Sequence, residues 1–97
     1  MKYVIHKFVL TERVTTINLE ADAVVLYADR DSRLESPAIW VRRRIFTGPS
    51  RDAKPGVPRT FRWVGTGEFF EAHESATMFG PVRLGGEFIF HVYEVES

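Results

Sequence analysis

Cysteine is missing from this 97-residue sequence. No disulfide framework, thiolate zinc site or cysteine nucleophile is therefore available to it. Charge of one sign is missing too: 13 Lys and Arg meet 13 Asp and Glu. A nucleic-acid-binding domain more often carries a pI above about 9. No apolar run approaches the about 20 residues that cross a bilayer as a helix. The stretch Met1-Lys2-Tyr3-Val4-Ile5-His6-Lys7 has charges inside it and no small-residue cleavage site, so it does not read as a secretory signal. The expectation is a soluble cytosolic protein.

What is present suffices for one core. Hydrophobic residues make up 44% of the chain and aromatics 13%, eight of them Phe, which is ordinary globular usage. A chain this short forms a single domain, residues 1–97. Period-two alternation dominates it and predicts strands over 3–10, 13–19, 23–28, 37–46, 59–64, 76–84 and 87–95. Pro37 suits the first position of a strand, where no ladder donor is lost. Gly80-Pro81 predicts a bend or bulge, and Gly85-Gly86 a hairpin turn. The two residues Thr11-Glu12 are short enough to close a hairpin between the first two strands. Residues 47–58, rich in proline and glycine, read as a long exposed loop, and the spacing over 68–74 predicts one short helical turn. Seven closely spaced, mostly antiparallel strands make an all-β sandwich or a partly open barrel.

Nothing in this pattern reads as an active site. The three histidines match no metal-ligand spacing and the chain has no HExxH; His91 reads as a sheet histidine with a backbone hydrogen bond. The serines fall in turns or at the end of the chain, outside any G-x-S-x-G elbow. Glu68, Glu71 and Glu74 read as a solvated acidic face. No catalytic residue, metal or cofactor is expected. Gly65-Thr66-Gly67 lacks the Lys-Ser/Thr of a phosphate loop. Its glycines would nonetheless let backbone N–H groups form an anion-binding nest beside Arg59 and Arg62.

The sharpest feature is charge segregation. Residues 1–36 sum to −1, residues 37–64 to +6 and residues 65–97 to −5. Within the basic stretch, alternation places Trp40, Arg42, Arg44 and Phe46 on one face and Ile39, Val41, Arg43 and Ile45 on the other. In the next strand Arg59, Phe61 and Trp63 face away from Thr60, Arg62 and Val64. Aromatics interleaved with arginine suit single-stranded nucleic acid, but the zero net charge and the acidic last third favour pairing with the fold's own carboxylates or with a protein surface.

Arg59-Thr60-Phe61-Arg62-Trp63-Val64-Gly65-Thr66-Gly67 and Gly86-Glu87-Phe88-Ile89-Phe90-His91-Val92-Tyr93-Glu94 resemble the two signature stretches of a family of small phage-encoded proteins of unknown function. Lys2-Tyr3 and Trp40 fit the order of that family, and the Arg42–Arg44 run and the Pro-rich loop depart from it. The resemblance implies an accessory role in the host cytoplasm or on the virion and transfers no activity to any residue. The leading expectation is a non-enzymatic protein-binding module, partnered by itself as a homo-oligomer or by a host or phage protein, with Trp40 and Trp63 as anchors. Two alternatives stand beside it. One is a sponge for a nucleotide-like anion at Arg59, Arg62 and Gly65–Gly67; the other is a single-stranded nucleic-acid binder.

Overall fold

The computed structural model describes residues 1–33, 35–45, 56–86 and 88–95. Seven strands follow in order: β1 (Lys2–Val9), β2 (Val14–Leu19), β3 (Val24–Asp31), β4 (Ser36–Ile45), β5 (Val57–Gly65), β6 (Thr77–Leu84) and β7 (Phe88–Val95). All pairings are antiparallel, and they form two sheets ordered β1-β4-β3 and β2-β5-β7-β6. The protein is thus all-β, a two-sheet arrangement rather than a closed barrel.

Each sheet turns its apolar period-two positions toward the other. The three-stranded sheet contributes Ile39 and Val41 with Phe8, Val25 and Ala28 beside them; the four-stranded sheet contributes Leu19, Phe61, Val82, Leu84 and Val92 with Trp63, Phe79 and Phe90. Leu10, between β1 and β2, is fully buried in the same core. Two arginines also point inward. Arg43 forms a two-pronged pair with Glu20 at 2.6 and 3.0 Å. Arg59 does the same with Glu94 at 2.7 and 2.8 Å, and donates from Nη1 to the Ala23 carbonyl at 2.7 Å. That last bond ties β5 to the residue that precedes β3 in the opposite sheet.

Three local expectations need correction. Thr11-Glu12 does not close a hairpin, because β1 pairs with β4 and β2 with β5. Leu10 N–H extends the first ladder to the Pro37 carbonyl and Trp63 N–H extends the second to the Arg13 carbonyl, so the short link carries the chain from sheet to sheet. Residues 68–74 form no helical turn; the segment runs irregularly along the four-stranded sheet and is fixed by Phe70, whose ring lies 5.1 Å from that of Tyr93. Of the expected loop 47–58, Val57 and Pro58 already belong to β5, while residues 46–55 lie outside the described ones. The glycine signals appear as expected. The β6–β7 register shifts between Met78 and Pro81, around Gly80 at φ 67°, and Gly85 and Gly86 turn the hairpin at φ 38° and 62°.

Candidate functional site

The basic stretch is dispersed by the fold. Trp40, Arg42 and Arg44 lie on the outer face of the three-stranded sheet, opposite Lys7, Ile5 and Tyr3 of β1. Arg43 and Arg59 point inward to Glu20 and Glu94. Arg62 lies on the outer face of the four-stranded sheet, opposite Val14 and Tyr93. Arg51 and Lys54 fall outside the described residues. Arg59 and Arg62 therefore occupy opposite faces of β5 and do not converge on one ligand. Trp40 and Trp63 belong to different sheets. The face assignment for β4 is as the alternation implies, apart from Phe46, which is outside the described residues.

The outer face of the three-stranded sheet brings together Tyr3, Ile5, Lys7, Val24, Tyr27, Trp40, Arg42 and Arg44. The rings of Tyr27 and Trp40 stack at 5.0 Å and 15°, and the Arg42 guanidinium sits 4.7 Å from the centre of the Tyr3 ring. Tyr3, Ile5 and Tyr27 are 50%, 56% and 50% exposed. Lys7 is held by Asp31 at 2.6 Å and Arg44 by Asp22 at 2.8 Å. Among the described residues no carboxylate pairs with Arg42. The result is an aromatic and aliphatic surface on which, among the described residues, Arg42 has no carboxylate partner.

The outer face of the four-stranded sheet differs at its centre, where the chain folds back over Tyr93, although Val14 and Met78 on the same face stay half exposed. Phe70 packs on Tyr93, which is 0% exposed. At the end of that sheet Gly65-Thr66-Gly67 forms a tight turn: Glu68 N–H donates to the Gly65 carbonyl at 3.1 Å, and Gly67 takes φ 91°, the left-handed value that a type II turn requires of its third residue. Thr66 N–H donates to the Ile89 carbonyl at 3.2 Å, and its hydroxyl lies 2.9 Å from His91 Nε2. The His91 ring thus bonds a hydroxyl rather than the backbone expected for it.

The cation that grips this turn is Arg13 rather than Arg59, and Arg62 acts on Glu68 only through its charge. The Arg13 guanidinium lies 4.4 Å from the Trp63 ring and 5.0 Å from that of Phe90, and it holds both oxygens of Glu68 at 2.9 and 3.1 Å. The bond to Arg13 lowers the Glu68 pKa from the ordinary carboxylate value. A groove of about 440 Å³ lies here, bordered by Arg13, Thr66, Glu68, Phe88 and Phe90. Two of the turn's N–H groups are already bonded within the fold and the cation already holds a carboxylate, so an anion arriving here would have to displace Glu68. Among the described residues no group of three or more His, Asp or Glu is placed to hold a metal ion.

Tyr3, Ile5, Tyr27 and Arg13 were not singled out from the sequence. A signal for the first three was available, since β1, β3 and β4 carry apolar residues at both parities, a pattern of strands buried on two sides. Arg13 gave none, because its partners come from sequence positions 50 and 55 residues away. No curated protein and no solved structure matches the chain. A family model does: over residues 1–97 the sequence matches DUF7352, a domain of unknown function, and the chain belongs to that family.

Proposed function

We propose that this is a phage-encoded accessory protein that acts without catalysis, by docking the outer face of its three-stranded sheet on another protein. The observation that carries the reading is the bare aromatic face formed by Tyr3, Ile5, Val24, Tyr27 and Trp40 on strands whose opposite face is already core. Exposed apolar patches of this kind mark interaction sites, and Tyr, Trp and Arg are the side chains that most often carry binding energy at them.

The partner's chemistry follows from the charges. Lys7 and Arg44 are neutralised by Asp31 and Asp22, so the face suits an apolar protein surface with a carboxylate for Arg42 better than it suits a polyanion. On this reading the protein works in the host cytoplasm or on the virion. The test is parallel capture from host lysate with the native chain and with a Trp40→Ala/Arg42→Glu variant. A captured protein lost with the variant at unchanged Tm, and retained with Phe69→Ser, is the expected result. Equal capture by all three, or capture by none, overturns the reading.

A further inference from the structure

Four strands end the two sheets: β1 and β3 in one, β2 and β6 in the other. A bare edge invites a further strand, and proteins blunt such edges with charge, proline or a bulge. Three of the four edges here carry such devices. β1 has Lys2 and Lys7. β3 shifts register between Val25 and Tyr27 and ends in Asp29, Arg30 and Asp31. β6 is broken by Gly80 and Pro81. β2 has none of these. Its six residues, Val-Thr-Thr-Ile-Asn-Leu, contain no charge, proline or glycine, and its register with β5 is unbroken.

The outward direction of its backbone follows from one bond. Trp63 N–H donates to the Arg13 carbonyl at 3.0 Å, and along an antiparallel ladder the bonding direction alternates residue by residue. Arg13, Thr15, Ile17 and Leu19 therefore face β5, and Val14, Thr16 and Asn18 turn their N–H and C=O groups away from it. All three of those residues are exposed. Among the described residues no strand pairs with this edge.

We propose that β2 pairs antiparallel with β2 of a second copy about a two-fold axis at Thr16, joining two four-stranded sheets into one continuous sheet. The strand is complementary to itself in that register. Thr16 meets the partner's Thr16, Val14 meets the partner's Asn18, and Thr15 meets the partner's Ile17, so every outward N–H faces an outward C=O. β-Branched and hydroxyl side chains favour such cross-strand contacts. No like charges oppose each other within the strand. The first such meeting, Glu12 with the partner's Glu20, falls outside it, where Arg43 already neutralises Glu20. This pairing uses no residue of the bare aromatic face, so it stands or falls independently of the docking reading.

Sedimentation velocity of the full chain over a range of concentrations tests it with two variants. Thr16→Pro removes an N–H that faces outward and leaves the ladder to β5 intact, as proline on an edge strand does. Thr16→Lys places two ammonium groups against each other at the axis. The native chain is expected to dimerise, each variant to weaken dimerisation about tenfold or more, and Trp40→Ala to dimerise like the native chain. If proline disturbs the fold, seen as a lowered Tm, the lysine variant decides. A native chain that stays monomeric throughout overturns the proposal. So does a dimer that Thr16→Lys leaves intact.

Discussion

The two sheets carry similar residues on their outer faces and treat them differently. On the four-stranded sheet a tyrosine, Tyr93, lies under Phe70 of the segment between β5 and β6 and is wholly buried. On the three-stranded sheet Tyr27 lies against Trp40 with half its surface in water. The outer face of the first sheet is covered by its own chain over Tyr93, while Val14 and Met78 toward its edges stay half exposed; the aromatic centre of the second sheet's outer face has no such cover among the described residues. The difference shows what the bare face lacks, a layer resembling the strap of residues 66–76, and supports assigning that layer to another molecule.

The largest effect that would sharpen this contrast comes from the tyrosines. Tyr93→Ala should lower unfolding stability by about 3–5 kcal/mol, as for other fully buried aromatics, and Tyr27→Ala by less than about 1 kcal/mol, as for surface positions. Denaturant titration reads both, and equal losses would break the comparison. Next come the arginines. Arg59→Ala strands the Glu94 carboxylate between the sheets and should cost about 3 kcal/mol, whereas Arg42→Ala, which leaves no described carboxylate behind, should cost about 0.5 kcal/mol or less.

The smallest effect is in acid. The hydrogen bonds from Arg43 hold the Glu20 pKa below its ordinary 4.5. The folded protein therefore binds fewer protons at Glu20 than the unfolded chain does in the window just below pH 4.5. The stability from this pair is fully present above that pH and is lost as pH falls through the lowered folded value. Glu20→Gln should lower stability at neutral pH and flatten the acid limb of a Tm-versus-pH curve. An unchanged acid limb would mean that the pair does not discriminate between folded and unfolded states.

Much of the architecture was legible in the sequence because strand parity is local. Alternation placed seven strands and put Arg43 on the face of Val41 and Arg42 on that of Trp40, and the glycine and proline signals located the bulge at Gly80-Pro81 and the turn at Gly85-Gly86. Which strand pairs with which was less legible. A two-residue link such as Thr11-Glu12 looks the same whether the chain doubles back or crosses to another sheet. The 68–74 segment had helix-compatible spacing, but its path is set by the ring of Tyr93, which lies beyond any local window. The basic stretch showed the same limit. Composition collected Arg42, Arg43, Arg44, Arg59 and Arg62 into one charge cluster, and the period of two then distributed them over inner and outer faces of two sheets. The candidate anion site shifted for a related reason: register across β2 and β5 brings Arg13, rather than Arg59, to Trp63 and the Gly65–Gly67 turn.

The contrast between covered and bare faces is tested most directly by site-specific photocrosslinking in host cells. A benzophenone side chain is placed at Ile5, on the bare face, or at Met78, an equally exposed position beside Tyr93 on the outer face of the other sheet. The account predicts one discrete adduct with a second protein from Ile5, abolished by Arg42→Glu, and none of that mass from Met78. The same adduct from both positions, or none from Ile5, would contradict it.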